Sequence, residues 1–201
     1  MIIGLTGGIG SGKSTVSRIL KNKGIDIVDA DCVAHEVVEP GTPAFAEIKK
    51  HFGSEILQGG ALNRALLRQV IFSDPEQKQW LETLLHPIIH NELLRQLKMA
   101  KSAYKILEAP LLLENHLQGL CYQTVLVDVP ARLQLERASQ RDGTAQEQIQ
   151  AIIASQMPRE QKRQLADIIL DNSADKATLT AKVEALHLRL LALAKTENNH
   201  D

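Results

Sequence analysis

The sequence predicts an α/β fold: a parallel sheet covered by helices, with a helical block inserted beside it. Three observations carry that expectation. The chain opens with an apolar run, a glycine-rich loop, an amphipathic segment and a second apolar run, the pattern of a βαβ unit. Its middle has helical periodicity. Short apolar runs then return, two of them stopped by proline.

Met1 to Thr6 reads as a buried strand that ends in a loop. Ser14 to Asn22 places Val16, Ile19 and Leu20 on one helical face and closes near Gly24. Ile25 to Val28 is a second strand, ending in Asp29-Ala30-Asp31. Glu39-Pro40-Gly41-Thr42-Pro43 is a break. Asn63 is placed to cap a helix carrying Leu66, Leu67, Val70 and Ile71, and Ser73-Asp74-Pro75 is a second cap with proline in the first turn. Leu81, Leu84 and Leu85 follow at helical spacing. His86-Pro87 is expected to interrupt that helix, start another and line a pocket; the new helix runs from Ile88 to Lys101. Lys105 to Ala109 and Thr124 to Val129 are strands stopped by Pro110 and Pro130, and Ile168 to Leu170 is a last short one. Arg132 to Arg141 and Gln146 to Ser155 read as helices. Leu179 to Leu193 is a leucine-rich helix whose apolar face covers its own core or a neighbouring copy. The polar tail from Thr196 to Asp201 is expected to fray.

Composition excludes several functions. The chain has 201 residues, with 23 Lys+Arg against 24 Asp+Glu, so its net charge of -1 argues against bulk coating of nucleic acid. Aromatics at 3% leave few platforms for stacking bases. A 44% hydrophobic content is too high for a disordered chain. No apolar run approaches the ~20 residues of a membrane span, and Ile2-Ile3-Gly4-Leu5 is too short for a signal peptide. Cys32 and Cys121 form no CxxC pair, so neither a zinc framework nor a redox motif is read. A reduced, cytoplasmic protein is expected.

The main chemical signal is Gly7-Gly8-Ile9-Gly10-Ser11-Gly12-Lys13-Ser14, followed by Thr15, which fits G-x-x-x-x-G-K-[ST] in full. Glycines let consecutive N–H groups turn towards phosphate oxygens. Lys13 reaches the β- and γ-phosphates, the Ser14 hydroxyl suits Mg²⁺, and the next helix presents its positive end to the same anion. No G-x-G-x-x-G register fits, so a dinucleotide fingerprint is excluded. Asp29-Ala30-Asp31 ends the second strand, where a parallel sheet places its binding crevice. A carboxylate there either activates an acceptor hydroxyl, or orders Mg²⁺ through water, or caps the following helix; spacing alone does not choose. Arg132, Arg137 and Arg141, with Arg159, Lys162 and Arg163 soon after, form either a cationic face for a transferring phosphoryl group or a solvated surface. His86 and His90 are four apart but lack the H-E-x-x-H pattern, so no metal site is expected there. No N-K-x-D guanine motif is present, which disfavours a GTP-dependent switch.

Beyond the phosphate loop the chain resembles the dephospho-coenzyme A kinase family, almost end to end. The resemblance rests on Leu5 to Thr15, Val28-Asp29-Ala30-Asp31, Val37-Val38-Glu39-Pro40-Gly41, and Asn63-Arg64 through Ile71-Phe72. Leu84-Leu85-His86-Pro87-Ile88, Pro110-Leu111-Leu112-Leu113-Glu114, Gln140-Arg141-Asp142 and Ala166-Asp167 complete it. It implies a phosphate-loop NTPase fold: a five-stranded parallel sheet flanked by helices, a helical substrate-binding insertion and a lid. As a single kinase domain over 1–201, it implies a nucleotide-binding core at 1–42 and 103–201, a lid around 132–165, and a helical acceptor-binding subdomain at 43–102. It further implies ATP and dephospho-CoA as partners and Mg²⁺ as cofactor; with the composition above, no nucleic acid, membrane or obligate protein partner is expected, and self-association is left open. ATP is expected on Gly8, Gly10, Ser11, Gly12, Lys13, Ser14 and Thr15, with Arg137 helping and Asn172 near the adenine. Asp31 is implied as base or orienting group for the ribose 3′-hydroxyl, and Arg141 as a lid arginine acting with Lys13 in catalysis. Thr6, Arg64, Phe72, His86, Pro110, Leu111 and Glu114 are the implied acceptor contacts. The metal falls to Ser14, with Asp31 through water. Two positions depart from the family's pattern: His35 stands where arginine is common, and Glu108 where aspartate or an apolar residue is common.

Overall fold

The computed structural model describes residues 1–197, so most of the tail expected to fray lies outside the described residues. The chain divides into two compact units, one formed by Met1–Val28 and the described residues from Ala100 on, the other by Asp29–Met99.

The first unit holds the five-stranded sheet. Its elements are β1 (Ile2–Thr6), α1 (Lys13–Asn22) and β2 (Asp26–Asp29, whose last residue opens the second unit). After the second unit come β5 (Lys105–Glu108), β6 (Gln123–Asp128), α6 (Ala131–Asp142), α7 (Gln146–Ser155), α8 (Arg159–Leu165), β7 (Ile168–Asp171) and α9 (Lys176–Glu197). Strand order is β2-β5-β1-β6-β7, and β1 lies parallel to both β5 and β6, as β6 does to β7. The central strands are apolar because helices cover both faces. Ile3, Leu5, Ile106, Val125 and Val127 pack with Val16 and Leu20 of α1 and with Val183 and Leu190 of α9 in one core. The C-terminal leucine face therefore covers its own sheet. Polar groups pin the strand ends. Asp167 accepts hydrogen bonds from the Thr124 N–H and hydroxyl at 2.7 and 2.8 Å, holding β7 against β6. The Asp26 carboxylate takes the N–H groups of Lys101 and Ser102, fixing β2 beside the approach to β5.

The second unit is helical: α2 (Ala30–Glu36), α3 (Pro43–Phe52), a small antiparallel ribbon of β3 (Leu57–Gln58) and β4 (Ala61–Leu62), α4 (Arg64–Ser73) and α5 (Pro75–Met99). The expected caps are present. Asn63 accepts from Leu66 N–H at 3.0 Å, and Asp74 accepts from Glu76 and Gln77 N–H at 2.9 and 3.3 Å ahead of Pro75. One expectation is corrected. His86-Pro87 starts no helix, because α5 runs unbroken from Pro75 to Met99 with Pro87 inside it. Proline removes one hydrogen bond, but α2, α3 and α4 all pack on α5, and that burial holds the helix together across the lost bond. Helix α8 and the two-residue strands of the ribbon are further elements that periodicity did not mark.

Candidate active site

The phosphate-loop segment links β1 to α1. Gly10 and Gly12 carry left-handed backbone angles, φ +71° and +91°, and both are crowded. A β-carbon at Gly10 would run into the Gln134 carbonyl, and one at Gly12 into the Asn172 amide. Conformation and close approach thus both require glycine here. Gly12 is also the N-cap of α1, so the helix begins at Lys13 with its unpaired N–H groups and positive end at the loop. Ser14 is exposed on that first turn, and Thr15 follows it.

The loop is braced from within its own unit. Asn172, buried just past β7, donates its side-chain amide to Ser11 O at 2.7 Å, and its own carbonyl accepts from Arg137 at 2.9 Å. Asn172 therefore links Arg137 to the loop. Gln134 of α6 lies against Gly8 and Gly10, and donates to Val129 O. Gln156, just after α7, accepts from Ile9 N–H at 3.2 Å. A cavity of about 170 Å³ opens beside Gly8, lined among others by Asp128, Gln134, Gln156 and Lys162. Sequence reading passed over both glutamines; neutral side chains without a motif gave no signal to find them.

Lys13 is held by a carboxylate. Its ammonium meets Glu108 Oε1 at 2.5 Å, and Glu108 is 5% exposed at the end of β5, paired in register with Leu5. Thr6 is fully buried and donates its hydroxyl to Pro110 O at 3.1 Å, so the ends of β1 and β5 are tied together. Leu111 is exposed beyond Pro110, and Glu114 takes both the Met157 N–H, at 3.0 Å, and the buried Lys162, at 2.8 Å. Burial pushes the Glu114 carboxyl up, but the hydrogen bonds from Lys162 and Met157 outweigh that and hold it below its ordinary value.

The cationic face read from sequence is divided. Arg159 and Arg163 both grip the buried Asp128, the first through two bonds of 2.8 Å. Arg141 lies on the last turn of α6, exposed, and pairs with its neighbour Asp142 at 2.6 and 2.7 Å.

In the second unit, Asp29 settles the capping question for its segment. Its carboxylate accepts from the N–H groups of Asp31, at 2.9 Å, and Cys32, at 3.3 Å, so Asp29 rather than Asp31 is the N-cap of α2. The Asp31 side chain is exposed in the first turn. Arg64 opens α4 and reaches the His35 carbonyl at 3.4 Å and Glu39 at 3.5 Å. His35 thus contributes its backbone there. Phe72 is 89% exposed at the end of α4, and His86 faces outward from α5. One pocket in this unit is lined by Glu47, Glu76, Gln79, Trp80, Thr83 and Leu84, and His86 is not among its lining residues.

A family model described as dephospho-CoA kinase matches residues 1–178, which takes in the phosphate loop, the whole second unit and the strands that follow. The chain belongs to the dephospho-CoA kinase family. A dephospho-CoA kinase of Idiomarina loihiensis is 47% identical over 192 residues, covering 95% of each chain. Among solved structures, TT1252 from Thermus thermophilus superposes with a TM-score of 0.83 at 35% identity, covering 94% of this chain and 97% of its own. Dephospho-CoA kinase from Campylobacter jejuni gives 0.73 at 26% identity, covering 95% and 97%. The family likeness therefore spans both units, and the parallel sheet flanked by helices is that of the phosphate-loop kinases.

Proposed function

We propose that this chain transfers the γ-phosphoryl group of ATP to the ribose 3′-hydroxyl of dephospho-CoA, releasing CoA and ADP, the last step of coenzyme A synthesis. The observation that carries the reading is the family match over residues 1–178, because it includes the acceptor-side segments as well as the phosphate loop. The loop alone would fit many kinases.

Phosphoryl transfer needs positioning and charge stabilisation more than covalent chemistry. The N–H groups of Gly8 to Thr15 and the N-terminal end of α1 are suited to the ATP phosphates, and Lys13 to the β- and γ-oxygens. Ser14 supplies a hard hydroxyl oxygen, exposed on the first turn, which fits Mg²⁺, an ion that takes one or two protein oxygens and fills the rest with phosphate and water. When bound, Mg²⁺ supplies charge neutralisation of the triphosphate. Asp31 is proposed to orient the 3′-hydroxyl and accept its proton. The Asp29 cap supports this, since the segment's helix start is satisfied without the Asp31 carboxylate. Residues 43–102, which take in most of the second unit, are proposed as the acceptor-binding subdomain, with Arg64, Phe72 and His86 its contacts. Residues 132–165 are proposed as the lid region, with Arg141 and Arg137 as its phosphate contacts, excluding water, a competing nucleophile. Thr6, Pro110, Leu111 and Glu114 would form the crevice wall at the ends of β1 and β5. The free cysteines suit the reducing cytoplasm we propose as its compartment. No helix among the described residues is long and apolar enough to cross a membrane.

The test is ADP release from MgATP with and without dephospho-CoA, beside a panel of other hydroxyl acceptors. Release that depends on dephospho-CoA and yields a product of CoA mass supports the reading. Stimulation by a different acceptor alone discards the substrate and keeps the phosphoryl-transfer chemistry.

A further inference from the structure

We infer that Gln156 is a positioning residue that couples nucleotide binding to acceptor binding. The inference rests on the proposed readings of the phosphate loop as the ATP site and of Glu114 as part of the acceptor crevice.

Residues 156–158 connect α7 to α8, and they are tied in two directions. Gln156 Oε1 accepts from the Ile9 N–H at 3.2 Å. Ile9 lies inside the tight turn that the Ser11 N–H closes on the Gly8 carbonyl at 3.1 Å, so the glutamine holds that turn of the loop from outside. The next residue, Met157, donates its N–H to Glu114 Oε1 at 3.0 Å, and Lys162 of α8 meets the same oxygen at 2.8 Å. Two consecutive residues thus bond to the two walls: the first to the phosphate loop, the second to the chain beyond β5. Glu114 has acceptor capacity left for a ligand. Its other oxygen, Oε2, is buried and has no hydrogen-bond partner among the described residues. A buried carboxylate oxygen left unpaired is costly, and an N–H or O–H of the acceptor satisfies it. A donor on Oε2 fixes the carboxylate, and through Oε1 it fixes Met157 and the adjoining Gln156. The loop then meets the triphosphate with the Ile9 turn already held. One ordering step serves both ligands, so each favours the other. A neutral side chain suits the task, because its oxygen accepts as a carboxylate would without setting an anion beside the phosphates.

Equilibrium binding tests the coupling without turnover. Dephospho-CoA affinity is measured by calorimetry with and without saturating Mg²⁺ and the β,γ-imido analogue of ATP. The proteins are the unmodified chain, Gln156→Met and Gln156→Glu, each first checked for native circular dichroism. The unmodified chain is expected to bind dephospho-CoA at least about fivefold more tightly with the analogue present, and the analogue is expected to gain the same factor from dephospho-CoA. Gln156→Met keeps the length of the side chain and loses the accepting oxygen; its factor is expected to fall below about twofold. Gln156→Glu keeps that oxygen and is expected to keep the factor, although its charge weakens nucleotide binding. A merely structural glutamine would give a different result: Gln156→Met would weaken both ligands and leave the factor intact, which overturns the inference. So does a factor near one in the unmodified chain, or a Gln156→Glu variant that loses the factor as Met does. Failure of the unmodified chain to bind either ligand alone is a separate outcome, which overturns the functional reading and the inference with it.

Discussion

Asp29 and Asp31 carry the same side chain two positions apart, and their surroundings give them different work. Asp29 spends its carboxylate on two backbone N–H groups, a local bond that any helix start needs. Asp29→Ala is expected to cost about 1 kcal/mol of stability, read from urea unfolding, because α2 loses its cap. Asp31→Asn is expected to keep the native fold and to cut turnover with dephospho-CoA by at least about a hundredfold, the usual scale for a lost general base. Near-normal turnover in that variant sinks the assignment. Lys13→Gln is expected to cut turnover by at least about a hundredfold as well, through lost charge stabilisation, while the amide still donates to Glu108. Alanine would be a poorer probe, since it strands a buried carboxylate. The sequence marked Lys13, Ser14 and the Asp29–Asp31 segment because phosphate loops and strand-end carboxylates are short patterns. It left the role of Glu108 open because its partner is 95 residues away, and only strand pairing brings the two together.

Helices show the same division between local and distant causes. Asn63 and Asp74-Pro75 were legible because a cap bonds to N–H groups two or three residues on. The β-strands were legible because buried parallel strands are short and continuously apolar. Pro87 misled because its local effect is real but α5 is held by neighbours that no window of sequence contains. Helix α8 was hidden for a related reason: Arg159, Lys162 and Arg163 look like a solvated surface until Asp128 and Glu114 are found opposite them. The interior proline still has a cost. Pro87→Ala restores an N–H to α5, and it is expected to raise stability by about 1–3 kcal/mol in urea unfolding. A loss of stability would mean that the backbone around Pro87 is already adapted to the missing bond.

At the scale of the whole molecule the net charge of -1 conceals strongly paired interior charges. Asp128 with Arg159 and Arg163, and Glu114 with Lys162, fasten α8 to the sheet end and to the chain beyond β5. The second pair makes a sharp prediction. Lys162 is 4% exposed in its side chain, so Glu114→Gln leaves a buried cation without its anion, a change expected to cost about 3–5 kcal/mol. The same pair sets an acid limit. The Glu114 carboxyl is held below its ordinary value, because hydrogen bonds from Lys162 and Met157 outweigh the effect of burial. The unfolded chain therefore takes up the proton at higher pH than the folded one does. Its stabilisation is present above about pH 4.5 and drains away as pH falls through the folded value. Asp171 is also depressed, to about 2, through its bonds to Lys182 and Ser173, but that pair lies on the surface, where screening leaves it little weight. Urea midpoints measured from pH 7 down to pH 3 should thus fall below about pH 4.5 in the unmodified chain. In Glu114→Gln they should start lower and fall less steeply, since the group that titrates is gone. Parallel acid limbs in the two proteins would show that some other carboxylate governs the limit, and that the tie between Glu114 and Lys162 contributes little to the fold.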